Sequence, residues 1–318
     1  MSEILQKMNK IKFFVCGQVD SGKSTLIGNL LYKSGSILKL DNTSSESTKF
    51  SDLLDVDQSE RERGITQYSS NNSFYYDNIE FEAIDTPGHL LYIRELINSM
   101  SSNKGSVGCL IVSSVRSDFM KMFEDGTTKE DAILMRCCGV NHIVILINKI
   151  DKDNADIDFV KNTFNEWISR LGFKSIVYCP ISGYNGLNLF DRINKDEMCF
   201  IECLIYLNSK IKRIVGEKIS KNKDKCKLEF YTFNLDKIVA VGYKSVFHIV
   251  EHSSKQEIIG EIVRIQNKED KKIKPFLKSN ENIYLYVQLD ETIVLTEGQR
   301  LILRDSTKTL GFGYVMFS

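Results

Sequence analysis

Short apolar runs alternate with segments of helical periodicity through the first two-thirds of the chain. The runs at 11–16, 107–113 and 143–147 are continuous and rich in β-branched residues, as is typical of strands covered on both faces. Two further runs, 73–76 and 79–84, predict a strand pair. Segments with apolar residues three and four positions apart predict helices over 23–33, 89–100, 129–138, 157–171 and 197–211. This alternation predicts an α/β domain over residues 1–213, with a mostly parallel sheet flanked by helices.

The pattern changes after residue 213. Residues 214–227 are rich in lysine and show no clear periodicity, which predicts a basic linker. The simpler interpretation is a solvated tether, and the alternative is a strip that contacts phosphates of ribosomal RNA. Residues 228–318 predict a small antiparallel β-barrel, because short β-rich runs separated by turn residues recur there. Those runs are 228–233, 245–250, 258–265, 283–288, 300–304 and 311–317.

Composition narrows the class of protein without indicating its chemistry. The 318 residues suit two domains, and a formal net charge of zero gives no global attraction to nucleic acid. No apolar run reaches the length of a membrane span, and the first ten residues lack a signal-peptide core. The eight cysteines show no metal-binding spacing and are expected to be reduced. We therefore expect a cytoplasmic monomer that does not associate with membranes.

The strongest chemical signal follows the first predicted strand. Residues 17–24 match the P-loop pattern G-x-x-x-x-G-K-[ST] and precede a predicted helix, the context that the pattern requires. Backbone amides and the helix N-terminus favour phosphate there, whereas an ordinary glycine-rich turn would not need the flanking strand and helix. Lys23 is expected to reach the β- and γ-phosphates, and Ser24 to bind Mg²⁺. The predicted phosphate-binding residues are Gly17, Gln18, Val19, Asp20, Ser21, Gly22, Lys23, Ser24 and Thr25.

Asp85 and Gly88 lie in a second motif, Asp85-Thr-Pro-Gly-His89, directly after a predicted strand. Asp85 is expected to reach Mg²⁺ through water, and the Gly88 amide to sense the γ-phosphate. By itself this motif is an ordinary turn. Its position about 60 residues after the P-loop favours the nucleotide role.

A third motif, Asn148-Lys149-Ile-Asp151, ends the strand at 143–147. The Asp151 carboxylate is expected to accept hydrogen bonds from N1–H and the 2-amino group of guanine, a pair that adenine does not supply. A capped strand end with a surface Lys–Asp pair is the alternative, which the order of the motifs disfavours. The segment Ser182-Gly183-Tyr184 is expected to add backbone donors for guanine O6.

Thr66 lies in a fourth segment, Glu62-Arg-Gly-Ile-Thr66, between the P-loop and Asp85. A threonine there can bind Mg²⁺ only while the γ-phosphate is present, which would make an order–disorder switch. A charged helix end is the alternative, and alone this segment is a weak signal.

Together these segments resemble the elongation factor 1-alpha family, which includes the eukaryotic release-factor GTPase and the ribosome-rescue GTPase that partners Pelota. The matching segments are Gly17-Gln-Val-Asp-Ser-Gly-Lys-Ser-Thr25, Glu60-Arg-Glu-Arg-Gly-Ile-Thr66, Asp85-Thr-Pro-Gly-His89, Asn148-Lys-Ile-Asp151 and Pro180-Ile-Ser-Gly-Tyr-Asn-Gly186. The resemblance implies that His89 orients the attacking water and that Val19 and Ile65 form an apolar gate beside it. It also implies catalytic roles for Lys23 and Thr66 in phosphoryl transfer to water. A surface histidine that starts a helix is the alternative for His89.

The C-terminal part resembles the third domain of that family, but the second β-barrel that the family places before it is missing from the pattern. This difference puts tRNA carriage in doubt. The resemblance implies a GTP- and Mg²⁺-dependent translation factor that hydrolyses GTP to GDP and phosphate, slowly without the ribosome. The ribosome is the expected partner, with a release-factor-like or tRNA-like partner on the barrel. The alternatives are a GTP-dependent interaction protein or decoy factor with little hydrolysis, and a regulatory GTPase of sulfate activation.

Overall fold

The computed structural model describes residues 10–36, 70–86, 93–102, 105–211, 219–250, 256–305 and 308–317. The chain divides into two compact units, Met1–Arg213 and Ile214–Ser318. Among the described residues, no helix has the length and apolar character needed to cross a membrane. All eight cysteines are buried and none is in a disulfide.

The first unit alternates strands and helices, as its sequence pattern predicts. Its strands are β1 (Lys10–Cys16), β2 (Ser70–Tyr76), β3 (Ile79–Asp85), β4 (Val107–Ser113), β5 (His142–Asn148) and β6 (Ser175–Pro180). Its helices are α1 (Lys23–Lys33), α2 (Ile93–Ser102), α3 (Arg116–Glu124), α4 (Thr128–Cys137), α5 (Ile157–Ile168) and α6 (Phe200–Ser209), and a 3-10 turn, Ser169–Leu171, follows α5.

The six strands of this unit form one sheet in the order β2-β3-β1-β4-β5-β6. Every neighbouring pair is parallel except β2 with β3, which is antiparallel. All seven residues of β4 are buried, because helices cover a parallel sheet on both faces. The prediction of an α/β domain with a mostly parallel, helix-flanked sheet is confirmed.

An aromatic cluster fixes helix α6 against the sheet. The ring of Phe13 on β1 meets Phe200 edge to face, with centroids 5.6 Å apart, and Phe74 and Phe81 stack 5.2 Å apart on β2 and β3. These rings are fully buried and belong to one core that also includes α1. The cluster therefore joins the strand before the P-loop to the helix that ends the unit.

Sequence periodicity misses helix α3, whose nine residues carry only three buried side chains, Phe119, Met122 and Phe123. The rings of Phe119 and Phe123 pack with Phe164 on α5. This packing explains why so short a helix is stable although its hydrophobic periodicity is weak. Helix α6 begins at Phe200 and not at the predicted residue 197, because Cys199 and Glu202 form a capping box there.

Among the described residues of the second unit, the regular elements are all strands. They are β7 (Ser220–Thr232), β8 (Lys244–Val250), β9 (Glu257–Asn267), β10 (Ile273–Lys274), β11 (Asn282–Thr296), β12 (Arg300–Arg304) and β13 (Thr309–Met316). The order is β10-β9-β11-β7-β13-β12-β8, and β8 also pairs with β9. Six antiparallel strands thus close on themselves around an apolar core, with β10 added at the side. The predicted small antiparallel β-barrel is confirmed.

Strand β7 corrects the prediction of a linker over residues 214–227. The strand begins at Ser220 and pairs with β11 from its first residue, with Ser220 opposite Thr296. One long strand therefore contains both the end of the predicted linker, residues 220–227, and the start of the predicted barrel, residues 228–232. Residues 220–225 are all polar and none of them is buried, so this half of the strand lacks the apolar positions of the usual alternation.

Candidate functional site

The carboxyl ends of β1, β3, β5 and β6 lie side by side, because these strands are parallel. The chain leaves them at Gly17, Thr86, Lys149 and Ile181, so all four predicted nucleotide motifs that the structure describes begin at one edge of the sheet. Ligands of open parallel sheets bind at this edge. The geometry of the four motifs relative to one another therefore decides what the edge can bind.

The P-loop is a tight turn that leads directly into α1. Gly22, the N-cap of α1, has φ 99° and makes no side-chain cap, so the first amides of the helix are left for other acceptors. A Cβ at Gly22 would lie 2.5 Å from Asn148 Nδ2, so only glycine fits beside that amide. Gly17, Asp20 and Gly22 all have positive φ, as a loop that turns its backbone amides inward requires.

Lys23 is buried at the start of α1. Its Nζ donates to the carbonyl oxygens of Gly17 at 2.8 Å and Gln18 at 3.1 Å. The ammonium group therefore bridges two main-chain carbonyls of the P-loop. Burial lowers the pKa of Lys23, and the nearby carboxylates of Asp85 and Asp131 oppose this shift. This arrangement holds one cation at the edge where a polyphosphate would need it.

Ser24 and Asp85 meet although 61 positions separate them. Ser24 Oγ donates to Asp85 Oδ2 at 2.9 Å, and Asp85 is almost fully buried at the end of β3. The next residue, Thr86, donates from Oγ1 to the Val15 carbonyl at 2.7 Å, which ties this end of β3 to β1. The pair brings a hydroxyl and a carboxylate together, the oxygen donors that Mg²⁺ prefers.

Asn148 joins the P-loop to the segment at 182–184. Its Nδ2 donates to the Ser21 carbonyl at 2.9 Å, and its Oδ1 accepts from the Gly183 amide at 2.8 Å. Both bonds are buried. One amide side chain therefore fixes the distance between the P-loop, the predicted phosphate-binding motif, and the segment at 182–184, the predicted base-binding motif.

Asn29 is a structural residue of the site that the sequence motifs do not reveal. From the buried face of α1, its Nδ2 donates to the carbonyls of Gly183 at 2.9 Å and Tyr184 at 2.8 Å. Lys33, one turn further along α1, donates to the Gly186 carbonyl at 2.7 Å. A polar residue among Leu26, Ile27 and Leu30 on an otherwise apolar helix face is the signal that could have identified it.

The remaining predicted base-side residues lie at the rim. Lys149 has φ 69°, and its ammonium group lies 3.6 Å from the Asp118 carboxylate on α3. Asp151 is exposed, and the Ile150 amide between them donates to the Ile181 carbonyl at 3.3 Å. Tyr184 is 39% exposed, whereas Ser182 is fully buried. Asp151 and Tyr184 are therefore both accessible to solvent.

Gln18 contributes its main chain to the loop, whereas its side chain packs elsewhere. A Cβ on Gly126, in the turn between α3 and α4, would lie 1.9 Å from Gln18 Oε1. That oxygen is buried and has no hydrogen-bond partner among the described residues. The α3–α4 turn is therefore in direct contact with the P-loop, a neighbour that the motifs do not indicate.

Asp131, on the first turn of α4, is a second feature that the motifs miss. Its Oδ2 accepts from Thr127 Oγ1 at 3.1 Å. Burial raises the pKa of Asp131 to about 7, although the Lys23 ammonium and the Thr127 hydrogen bond both favour the carboxylate. A buried carboxyl group thus interacts electrostatically with the P-loop lysine.

Several predicted site residues lie outside the described ranges. They are Ile65, Thr66, Gly88 and His89. Val19, Asp20 and Thr25 are described and lie in or beside the P-loop turn.

Comparison with known proteins identifies the family. The profile of the elongation factor Tu GTP binding domain matches residues 8–279, most of the chain. The chain belongs to this family of translational GTPases. Elongation factor 1-alpha of Tetrahymena pyriformis is 34% identical to this chain over 199 residues, which cover 57% of this chain and 45% of that protein. The release factor GTP-binding subunit of Schizosaccharomyces pombe is 32% identical over 216 residues, 60% of this chain and 32% of that protein.

The chain therefore spans less than half the length of these two relatives. In fold it is similar to the GTPase-like domain of S. cerevisiae Ski7, solved with GTP, with a TM-score of 0.76 at 15% identity. That match covers 100% of this chain and 99% of the Ski7 chain. At this identity the likeness concerns the fold alone.

Replacing Asn148 with alanine should weaken guanine nucleotide binding about 10- to 100-fold, because two buried groups lose their partners at about 1–3 kcal/mol. Titration with a fluorescent GDP analogue measures the change. Thr232→Val is the matched control, since it removes a buried bridge in the barrel, where Thr232 Oγ1 donates to the Lys278 carbonyl at 2.6 Å. Equal affinities of wild type and Asn148→Ala would contradict the bridging role.

Replacing Asp131 with asparagine should change how stability depends on pH. The pKa of Asp131 is about 7 in the folded protein and ordinarily 3.8, so the folded state holds an extra proton between these values. Wild-type stability should therefore fall as pH rises through this window, by at most about 1.4 kcal/mol per pH unit, and Asp131→Asn should lack this fall.

Urea unfolding at pH 5, 6.5 and 8 tests this expectation, and the stability of Asp131→Asn relative to wild type should increase with pH. The control is Asp158→Asn, which removes an exposed carboxylate on α5. Parallel stability curves for wild type and Asp131→Asn would show that the Asp131 carboxyl does not titrate in this range.

Proposed function

We propose that this chain binds GTP with Mg²⁺ at the carboxyl edge of its parallel sheet and hydrolyses it to GDP and phosphate as a ribosome-linked translation factor. The observation that carries the proposal is the Asn148 bridge between Ser21 and Gly183. This bridge supports the proposal because it holds the P-loop turn and the 182–184 segment at a fixed separation at one edge of the sheet. A generic phosphate-binding turn would not require the second segment.

Each described residue then has a chemical role. The P-loop amides and the N-terminus of α1 bind the phosphates, and Lys23 neutralises negative charge on them. Asp151 accepts hydrogen bonds from the guanine edge, and Asn148 holds the two halves of the site at the right distance. The bonds from Asn29 to Gly183 and Tyr184 keep the base-side segment against α1.

The Ser24–Asp85 pair fits a magnesium ion, because both groups present oxygen atoms within 2.9 Å of one another beside the P-loop. Ser24 and Thr66 would hold the ion directly, and Asp85 would hold it through water. The ion, when bound, neutralises charge on the phosphates. We propose that Thr66 and His89, which family resemblance assigns to Mg²⁺ binding and to orientation of water, complete the site.

The ribosome link rests on the family and on the C-terminal barrel. In the sequence, the barrel strands begin seven residues after Arg213, the end of the first unit, so no second barrel lies between them. We propose that this GTPase does not carry aminoacyl-tRNA in the manner of elongation factors and that its barrel binds a release-factor-like or tRNA-like partner.

A second candidate function is a GTP-dependent interaction protein with little hydrolysis. It is favoured by the similarity in fold to Ski7, whose domain is described as GTPase-like and was solved both with GTP and with GDP and inorganic phosphate. The two candidates differ in turnover and agree on nucleotide binding.

Replacing Asp151 with asparagine should weaken GTP binding by about 100-fold or more and favour xanthosine triphosphate, because an amide donates where the carboxylate accepts. Competition between the two nucleotides for a fluorescent GDP analogue measures the switch. Asp153→Asn, an exposed neighbour, is the matched control and should retain the preference for GTP. Unchanged GTP affinity in Asp151→Asn would remove the guanine-recognition proposal.

Replacing His89 with alanine should leave GTP affinity intact and reduce ribosome-stimulated turnover by about 100-fold or more, the usual effect of losing a group that positions the attacking water. Phosphate release with and without ribosomes measures the effect, and His142→Ala serves as control. Co-sedimentation with ribosomes in the presence of a GTP analogue tests the partner separately. Wild-type protein that binds GTP but neither pellets nor turns over with ribosomes would support the interaction-protein candidate.

A further inference from the structure

The outer face of the barrel carries rows of tyrosines paired with cations across strands β9, β11, β7, β13 and β12. In the first row, Tyr286 on β11 lies opposite Arg264 on β9 and Lys227 on β7. In the second row, Tyr284 lies opposite Gln266 and Glu229. Paired residues in a sheet point to the same side, so each row forms one continuous strip on the barrel surface.

The second row continues across the remaining strands. Glu229 lies opposite Tyr314 on β13, and Tyr314 lies opposite Arg300 on β12. Tyr231, two residues beyond Glu229, is opposite Phe312 and stacks on it with centroids 5.4 Å apart. The face therefore joins an aromatic cluster at one side to the Tyr284–Tyr286 pair at the other.

Cations lie over most of these rings. Lys227 Nζ is 4.1 Å from the Tyr284 ring centroid, and Lys271 Nζ is 4.5 Å from the same centroid. Arg264 Cζ is 5.1 Å from the Tyr286 ring, and Arg300 Cζ is 5.2 Å from the Tyr314 ring. These distances lie within the range of cation–π attraction, so the positive groups are held in defined positions over the sheet.

The charge of this face is positive on balance. Among the described residues in the paired rows, Glu229 is the single carboxylate, and it accepts from the Tyr231 hydroxyl at 2.9 Å and pairs with Lys268. The Lys268 ammonium lowers the pKa of Glu229. Among the described residues, Lys227, Arg264 and Lys271 form no ion pair, and their charged groups lie over tyrosine rings.

The side chains of this face remain accessible. Arg264 and Lys271 are exposed, and Lys227, Tyr284 and Tyr286 are partly exposed. The chain as a whole has a formal net charge of zero, so an excess of cations on one barrel face is local and does not reflect the composition. Exposed cations interleaved with aromatic rings are the surface that single-stranded nucleic acids bind, through phosphate contacts and base stacking.

We propose that this surface, the tyrosine–cation face (Lys227, Arg264, Lys271, Tyr284 and Tyr286), binds single-stranded nucleic acid. The ammonium and guanidinium groups contact the phosphates, and the tyrosine rings beside them hold these cations in position. Because the rings already hold the cations in place, less side-chain entropy is lost on binding than for free lysines. Charge complementarity identifies the occupant, and the proposal does not depend on GTP binding by the first unit.

A purely structural role for the same rows would be cross-strand stabilisation of the sheet. That role would leave nucleic acid binding unaffected by removal of the cations. The experiment therefore measures binding and stability in the same variants.

The test uses the full chain and fluorescence anisotropy of labelled 20-nucleotide oligouridylate and oligothymidylate at low salt. The double variant Lys227→Gln with Arg264→Gln keeps both stems and should weaken binding at least about 10-fold. It should also reduce the slope of log affinity against log salt by about 1–2. The control double variant, Lys152→Gln with Arg170→Gln, removes two exposed cations from the first unit and should bind within about twofold of wild type.

Ring substitutions separate the positioning of the cations from folding. Tyr286→Phe keeps the ring and should bind as wild type does, whereas Tyr286→Leu should bind several-fold more weakly at an unchanged melting temperature. Tighter binding of oligouridylate than oligothymidylate would identify RNA as the preferred strand within the proposal. Absence of saturable binding, equal losses in the two double variants, or equally effective displacement by polyglutamate would overturn it, the last by indicating an acidic protein partner.

Discussion

The first unit depends on the two hydrogen bonds of the Asn148 side chain. One amide group accepts from the Gly183 main chain and donates to Ser21, so it links the end of β5 to the P-loop and to the segment after β6. Buried amide groups need both partners, since an unpaired one would lose its hydration without compensation. Gly22 adapts to the bridge, because any side chain there would collide with Asn148 Nδ2 at 2.5 Å. The Asn148 side chain therefore requires glycine at position 22, where the backbone has a positive φ.

Helix α1 completes this arrangement from the other side. Its N-terminus faces the P-loop, and the helix holds the 183–186 segment through the buried Asn29 and the exposed Lys33. The helix thus contacts both halves of the site, and the apolar residues between its polar contacts anchor it in the core. A rigid element under both segments is what keeps a binding site preorganised.

Much of this architecture follows from local patterns in the sequence. The P-loop and the β-branched strands are predictable because their chemistry is set by neighbours in the chain. Asn29, Gly126 and Asp131 are not predictable in this way, because their importance comes from residues more than a hundred positions away or from a helix that periodicity misses. The sequence predicts a linker in the first half of β7 because residues 220–225 are all polar and show no apolar alternation. In the barrel the lysines of β7 are side chains of a paired strand, and Lys227 lies over the ring of Tyr284.

The Ser24–Asp85 hydrogen bond has a consequence for how this protein is made. Its partners belong to elements 61 positions apart, and the Asn148–Gly183 bond adds a partner a further hundred positions along. A nascent chain released from synthesis only as far as β4 would have the P-loop sequence and no base-side segment. On the proposed function, nucleotide would stabilise chains that have reached the 182–184 segment, by about 2.7 kcal/mol at a concentration of 100 times Kd. Bound ligand would therefore stabilise complete α/β units and not partly synthesised ones.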